Sequence, residues 1–169
     1  LGSEGGGAKT AKFVPNRWAK GAPNQFFPPR ADSDPGEVFG PFHMTTIHMA
    51  PETALSTMIF GGVFERHPDL HFGVIEMGAN WVERWCERLD TTADTFTRQL
   101  SGSLSLRPSE YVRRQIRVTP YYHEPVGRWL ERSPELADIY VFSTDFPHPE
   151  GGKDPIDRFM AQVAPLGPD

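Results

Sequence analysis

The 169-residue sequence predicts an α/β fold built on a parallel sheet. Three observations carry this expectation. From about residue 51, apolar residues recur first at helical and then at strand spacing, in alternation. The first strand candidate, His71 to Met77, is short and apolar and is followed by Gly78, the pattern of a buried strand. Each strand candidate then meets ionisable residues at its carboxyl end.

The elements follow in order. Leu55, Met58, Ile59, Gly62 and Val63 share one helical face, with Pro51 near the first turn. His71 to Met77 reads as a buried strand ended by Gly78. Asn80, with Glu83 three residues on, has the form of a capping pair, and Trp81, Val82, Trp85, Cys86 and Leu89 make the apolar face behind it. Gln115 to Tyr121 is a second strand, followed by a helix through Val126, Trp129 and Leu130. Asp138 to Asp145 is a third strand, and Asp154-Pro155 opens a last helix with Ile156, Phe159, Met160 and Val163 on one face. This order fits an open α/β sheet or part of a (β/α)₈ barrel. A closed barrel takes about 250 residues, so a complete one is not expected.

The first part of the chain differs. Seven Gly and six Pro fall within residues 1–42, and apolar residues there show no sustained period. An irregular segment of this length inside a domain reads as a functional lid or as disorder. Gly5-Gly6-Gly7 is not a phosphate loop, because no Lys-Ser/Thr follows at the required spacing.

Charge and composition exclude some functions. With 17 basic against 22 acidic side chains, the net charge is −5. That balance argues against electrostatic binding to nucleic acid or to an anionic membrane. No apolar run is long enough to span a bilayer. A single cysteine, Cys86, cannot form an internal disulfide, and no export signal is visible. The expectation is a cytoplasmic protein.

In parallel α/β architectures, active sites lie at the carboxyl ends of the strands. Those ends carry Glu76, then Tyr121, Tyr122 and His123, then Asp145 and His148. Carboxylate and imidazole at one mouth suit a divalent metal or a general acid/base pair. Structural readings stand beside the functional ones. Glu76 also suits the N-terminal dipole of the next helix, and Asp145 suits a turn before Pro147. His43, His48, His67 and His71 fit hydrogen-bonded structural roles. Cys86 and the tryptophans at 81, 85 and 129 fit packing.

Three segments together resemble one family. They are Gly61-Gly62-Val63-Phe64-Glu65-Arg66-His67-Pro68-Asp69-Leu70 with Val74-Ile75-Glu76-Met77-Gly78-Ala79-Asn80-Trp81-Val82; Tyr111-Val112-Arg113-Arg114 through Val118-Thr119-Pro120; and Phe142-Ser143-Thr144-Asp145-Phe146-Pro147-His148-Pro149-Glu150-Gly151. In this order they resemble the amidohydrolase-related family, which includes aminocarboxymuconate-semialdehyde decarboxylase, resorcylate-type decarboxylases and lactone hydrolases. The resemblance covers roughly residues 50 to 160.

The resemblance implies a metal-dependent (β/α)₈ TIM barrel. Its members hold one divalent ion, commonly zinc, between a His-x-His pair on the first strand, a His on the fifth, often a His on the sixth, and an Asp on the eighth. Asp145 matches the eighth-strand Asp, and Glu76 stands where the sixth-strand His is found. No His-x-His occurs in the chain, and Leu1-Gly2-Ser3 resembles the stretch just after the fifth-strand His. The implied organisation is a Gly/Pro-rich lid over 1–49 and the C-terminal half of the barrel, strands six to eight, over 50–169.

The implied activity is hydrolysis or decarboxylation of a small carboxylate or cyclic substrate. Asp145 would be ligand and proton shuttle, and Glu76 ligand or base. Tyr121, His123 and His148 would line the substrate mouth. Zinc, or manganese, would be the metal unless the missing ligands leave this chain without one. A missing N-terminal half or a second copy would cover the open strand edges. The competing expectation is a catalytically inert half-barrel or interaction domain.

Overall fold

The computed structural model describes residues 41–146 and 153–167. The chain divides into two compact units, 1–46 and 47–169. In the first, Pro41–Thr46 form a helix, α1, inside the stretch expected to be irregular. The rest of that stretch, residues 1–40, lies outside the described residues.

The second unit begins with α2 (Met49–Phe60) and the single turn α3 (Val63–Arg66). The apolar run Leu55 to Val63 therefore does not make one helix. Gly61 and Gly62 interrupt it, and Gly62 takes a left-handed φ of 68° that other residues rarely adopt. Strand β1 (Phe72–Val74) follows, then α4 (Val82–Thr95) and the short α5 (Thr97–Leu100). Helix α6 (Pro108–Gln115) runs directly into β2 (Ile116–Val118). Next come α7 (Val126–Arg132), a 3₁₀ stretch over Pro134–Ile139, and α8 (Pro155–Val163), which ends in a 3₁₀ turn at Ala164–Leu166.

Strands β1 and β2 are parallel, with Phe72 opposite Ile116, Gly73 opposite Arg117 and Val74 opposite Val118. The third strand expected over Asp138 to Asp145 is reduced to one parallel bridge between Val118 and Tyr140. Its first two residues, Asp138 and Ile139, belong to the 3₁₀ stretch started by Pro134. The spatial order still follows chain order.

Side chains alternate across a strand, and the two faces of this sheet differ. Val74, Ile116 and Val118 enter the core with Leu55, Ile59, Phe64, Val82, Trp85, Leu89, Tyr111, Val112 and Ile139. On the other face Gly73 and Ile75 are exposed and Arg117 is half-buried. The expectation of a buried strand over His71 to Met77 is thus corrected: among the described residues Val74 is buried, while Phe72, Gly73 and Ile75 are exposed. The face read for α4 holds, since Trp81, Val82, Trp85, Cys86 and Leu89 are all buried. The face read for α8 does not: Ile156 and Met160 are more than half exposed, while Phe159 packs on the core.

Helix α6 is the packing centre, in contact with α2, α3, α4 and β2. It was not legible as a helix because its buried positions 108, 111, 112 and 115 end in a glutamine. Buried polar groups need partners, and the Gln115 amide has them. Its Nε2 donates to the carbonyls of His67 and Leu70, each at 2.9 Å, and its Oε1 accepts from Arg114. Pro108 suits the first helical position. Asp90 of α4 holds the same turn by accepting from the Ser109 backbone N–H and hydroxyl at 2.9 and 2.8 Å.

The capping pair expected at Asn80 and Glu83 is also corrected. The residue before α4 is Trp81, without a side-chain cap. Glu83 instead reaches α7, accepting from Arg132 Nε at 3.0 Å and from the Ser133 hydroxyl at 2.9 Å.

Two predictions follow from this packing. A Cβ on buried Gly127 of α7 would lie 2.4 Å from the Gln162 carbonyl oxygen of α8. Gly127→Ala should therefore lower stability in urea by about 1–3 kcal/mol. The Arg132 hydrogen bond holds the Glu83 carboxyl below its ordinary 4.5, outweighing its partial desolvation. A depressed carboxyl contributes stability above its unfolded value, and that contribution is lost as pH falls through the folded one. Below about pH 4.5 the melting temperature of the wild type should fall more than that of Arg132→Ala.

Candidate functional site

The carboxyl ends of β1 and β2 meet in a network of backbone bonds. Thr119, just past β2, is buried. Its N–H donates to the Val74 carbonyl at 3.0 Å, and its Oγ1 accepts from the Glu76 N–H at 3.1 Å. Tyr121 donates its hydroxyl to the Glu76 carbonyl oxygen at 2.6 Å. Glu76 is thus held through both its backbone groups by the residues that follow the neighbouring strand.

Its conformation is unusual. Among the described residues, three that are not glycine have a left-handed φ: Glu76 at 62°, Asp145 at 55° and Asp154 at 56°. Such a conformation costs roughly 1–2 kcal/mol for residues with a Cβ, and Asp tolerates it better than Glu. Asp154 precedes α8 as its N-cap. The other two are the carboxylates singled out from the sequence at the ends of the first and third strands. Strained backbone of this kind concentrates at functional sites.

Glu76 is exposed and Asp145 half-buried. The Asp145 N–H donates to Ser143 Oγ at 3.3 Å, and the following Phe146 N–H donates to Thr144 Oγ1 at 3.3 Å. This turn presents Phe146 to solvent at 88% exposure. His123 is exposed, stacked on the Tyr121 ring at 5.5 Å and 7°, and meets Tyr122 edge-on at 5.3 Å. His148 lies outside the described residues.

Two residues of this network carried no signal in the sequence reading. One is Thr119. The other is Glu124, 6% exposed, whose carboxylate accepts from the backbone N–H groups of Ala79, Asn80 and Tyr121. A carboxylate between a histidine and a proline reads as a loop residue, so nothing in the string marks Glu124.

The remaining candidates have structural roles. Cys86 is buried, and burial pushes its thiol up to about 12, which leaves negligible thiolate near neutral pH. His48 stacks on Trp81 at 6.1 Å and sits 3.8 Å from a Glu52 oxygen. A His71 ring nitrogen lies 3.0 Å from the Asp69 carbonyl. The tryptophans at 81, 85 and 129 are core residues.

A divalent site needs three or more converging donors. Among the described residues, no three His, Cys, Asp or Glu side chains come together in that way. Glu76 and Asp145 by themselves therefore do not fit a metal centre. Among the same residues, no helix is long and apolar enough to cross a membrane.

Comparison with known proteins agrees with this architecture. No curated protein matches the chain. A crystal structure of an amidohydrolase from Mycobacterium avium subsp. paratuberculosis K-10 is similar, with a TM-score of 0.62 and 27% identity. The match covers 78% of this chain and 33% of that one, so this chain spans about a third of its length. The family model described as Amidohydrolase matches residues 19–168. That match takes in both strands together with Glu76 and Asp145, and the chain belongs to the amidohydrolase family.

Proposed function

We propose that the chain is the C-terminal portion of a (β/α)₈ amidohydrolase barrel, with residues 50–169 as barrel and 1–49 as lid, and that the assembled barrel hydrolyses a small carboxylate or cyclic substrate. The observation that carries this reading is the strained pair, Glu76 and Asp145, at the carboxyl ends of consecutive parallel strand segments. The open sheet face supports it. Ile75, 49% exposed, and Phe142, 39% exposed, are placed to be covered by the remainder of a barrel or by a second copy.

In this reading Asp145 takes the proton from the attacking water and returns it to the leaving group. Glu76 serves as the second base or as a donor to a metal. The Tyr121 hydroxyl is committed to the Glu76 carbonyl, so its part is to hold Glu76 while His123 faces the substrate. A divalent ion, zinc or manganese, would need ligands beyond the described residues. Decarboxylation of the same class of substrate is the neighbouring chemistry. The single Cys86 fits a reducing compartment, the cytoplasm.

A second reading has its own support: the described residues lack a three-donor cluster, and the chain spans a third of the matched structure. In it the chain alone is an inert half-barrel or interaction domain.

Three measurements separate these readings. Retention of about one zinc or manganese per chain, lost in Asp145→Ala, supports the enzyme; a metal-free sample that takes up none on titration assigns the inert role. Asp145→Ala should lower turnover of a lactone or ester panel by about 10²–10⁴-fold, whereas release of CO₂ from aromatic or muconate-like carboxylates without ester turnover would make it a decarboxylase. Light scattering should show self-association or a complex with an N-terminal half. A monodisperse 19.0 kDa particle overturns the half-barrel.

A further inference from the structure

We propose that Glu124 is the positioning residue of this site: its buried carboxylate ties the turn after β1 to the turn after β2 and thereby holds Glu76 in its left-handed conformation. The proposal rests on reading Glu76 as a site residue, but its test does not depend on turnover.

The geometry is specific to a carboxylate. Oε1 accepts from Ala79 N–H at 3.2 Å and Asn80 N–H at 3.1 Å, while Oε2 accepts from Ala79 N–H at 2.9 Å and Tyr121 N–H at 2.8 Å. Three backbone donors from two separate turns thus converge on two oxygens, and charged acceptors make the stronger bonds. A glutamine has one acceptor oxygen. In either orientation its NH₂ would point at one of these N–H groups.

The neighbouring residues are shaped around this contact. Gly78 has a φ of 63°, and a Cβ there would lie 3.1 Å from Glu124 Oε1 and 3.0 Å from the Tyr121 ring. Trp81 closes the turn by donating its Nε1–H to the Gly78 carbonyl at 2.9 Å. The chain of contact is then short. Glu124 fixes the Tyr121 backbone, Tyr121 fixes the Glu76 carbonyl, and Thr119 fixes the Glu76 N–H.

Residue-resolved hydrogen exchange on the full chain tests this, comparing wild type, Glu124→Gln, Tyr121→Phe and the exposed control Glu131→Gln. In Glu124→Gln, exchange at Ala79, Asn80, Tyr121 and Glu76 should quicken by about tenfold or more, as loss of a charged hydrogen bond implies. The sheet amides of Thr119 and Val141, which donate to Val74 and Val118, should stay within about twofold of wild type, as should all amides in the control. Equal acceleration at every amide would mean that Glu124 only contributes packing, and unchanged exchange at Glu76 would mean that it serves only its own turn. Either result overturns the proposal. If Glu124→Gln does not fold, Tyr121→Phe decides. It should quicken Glu76 and leave Ala79 and Asn80 protected, and a protected Glu76 there overturns the proposal as well.

Discussion

Withdrawing a carboxylate from water costs several kilocalories per mole unless donors replace the lost hydration. At the carboxyl end of this sheet, Glu124 meets that requirement with main-chain N–H groups alone. A donor set drawn from backbone leaves little freedom, because each N–H comes with the path of its chain. The turn after β1, the turn after β2 and the start of α4 must all take one arrangement to satisfy one side chain. Ala79 and Asn80 lie just before the amino end of α4, where the helix dipole also favours negative charge. The anion at that helix start comes from Glu124, in the connection after β2, and the helix's own Glu83 is left for α7.

The same device recurs at the opposite end of the unit. Gln115 caps carbonyls at the entry to β1, and Asp90 holds the first turn of α6. Tyr111 is fully buried except for the demands of its hydroxyl, which bonds Glu65 and accepts from the backbone of Ser105 and Leu106. The apolar core sets which faces meet, and the polar straps set how the connections leave and re-enter the sheet. The residues at the strand ends inherit their positions from both.

The alternation of helix and strand was legible in the sequence because it depends on apolar period, which a string displays directly. The face of α4, buried at all five expected positions, is the clearest case. What escaped were features decided by partners distant in the chain. The third strand shrank to a single bridge at Tyr140, just after a proline-led 3₁₀ stretch, and α6 was hidden by a buried glutamine whose amide donates to carbonyls more than forty residues away. The candidate site divides in the same way. Glu76 and Asp145 stood out as charges at the ends of apolar runs, whereas Thr119 and Glu124 matter only through groups on another turn. Left-handed backbone at a glutamate has no sequence signature at all.

The parallel pairing of each strand with the next one in the chain has a consequence for how this unit comes into being. Residues 72 and 116 must meet across the α4–α6 crossover, but every later contact adds to a surface that already exists. Loop closure is therefore divided between a 44-residue step, from 72 to 116, and a 22-residue step, from 118 to 140, and a doubling of this kind costs only about 0.6 kcal/mol. Each strand–helix segment rests on its predecessor and offers an edge to its successor.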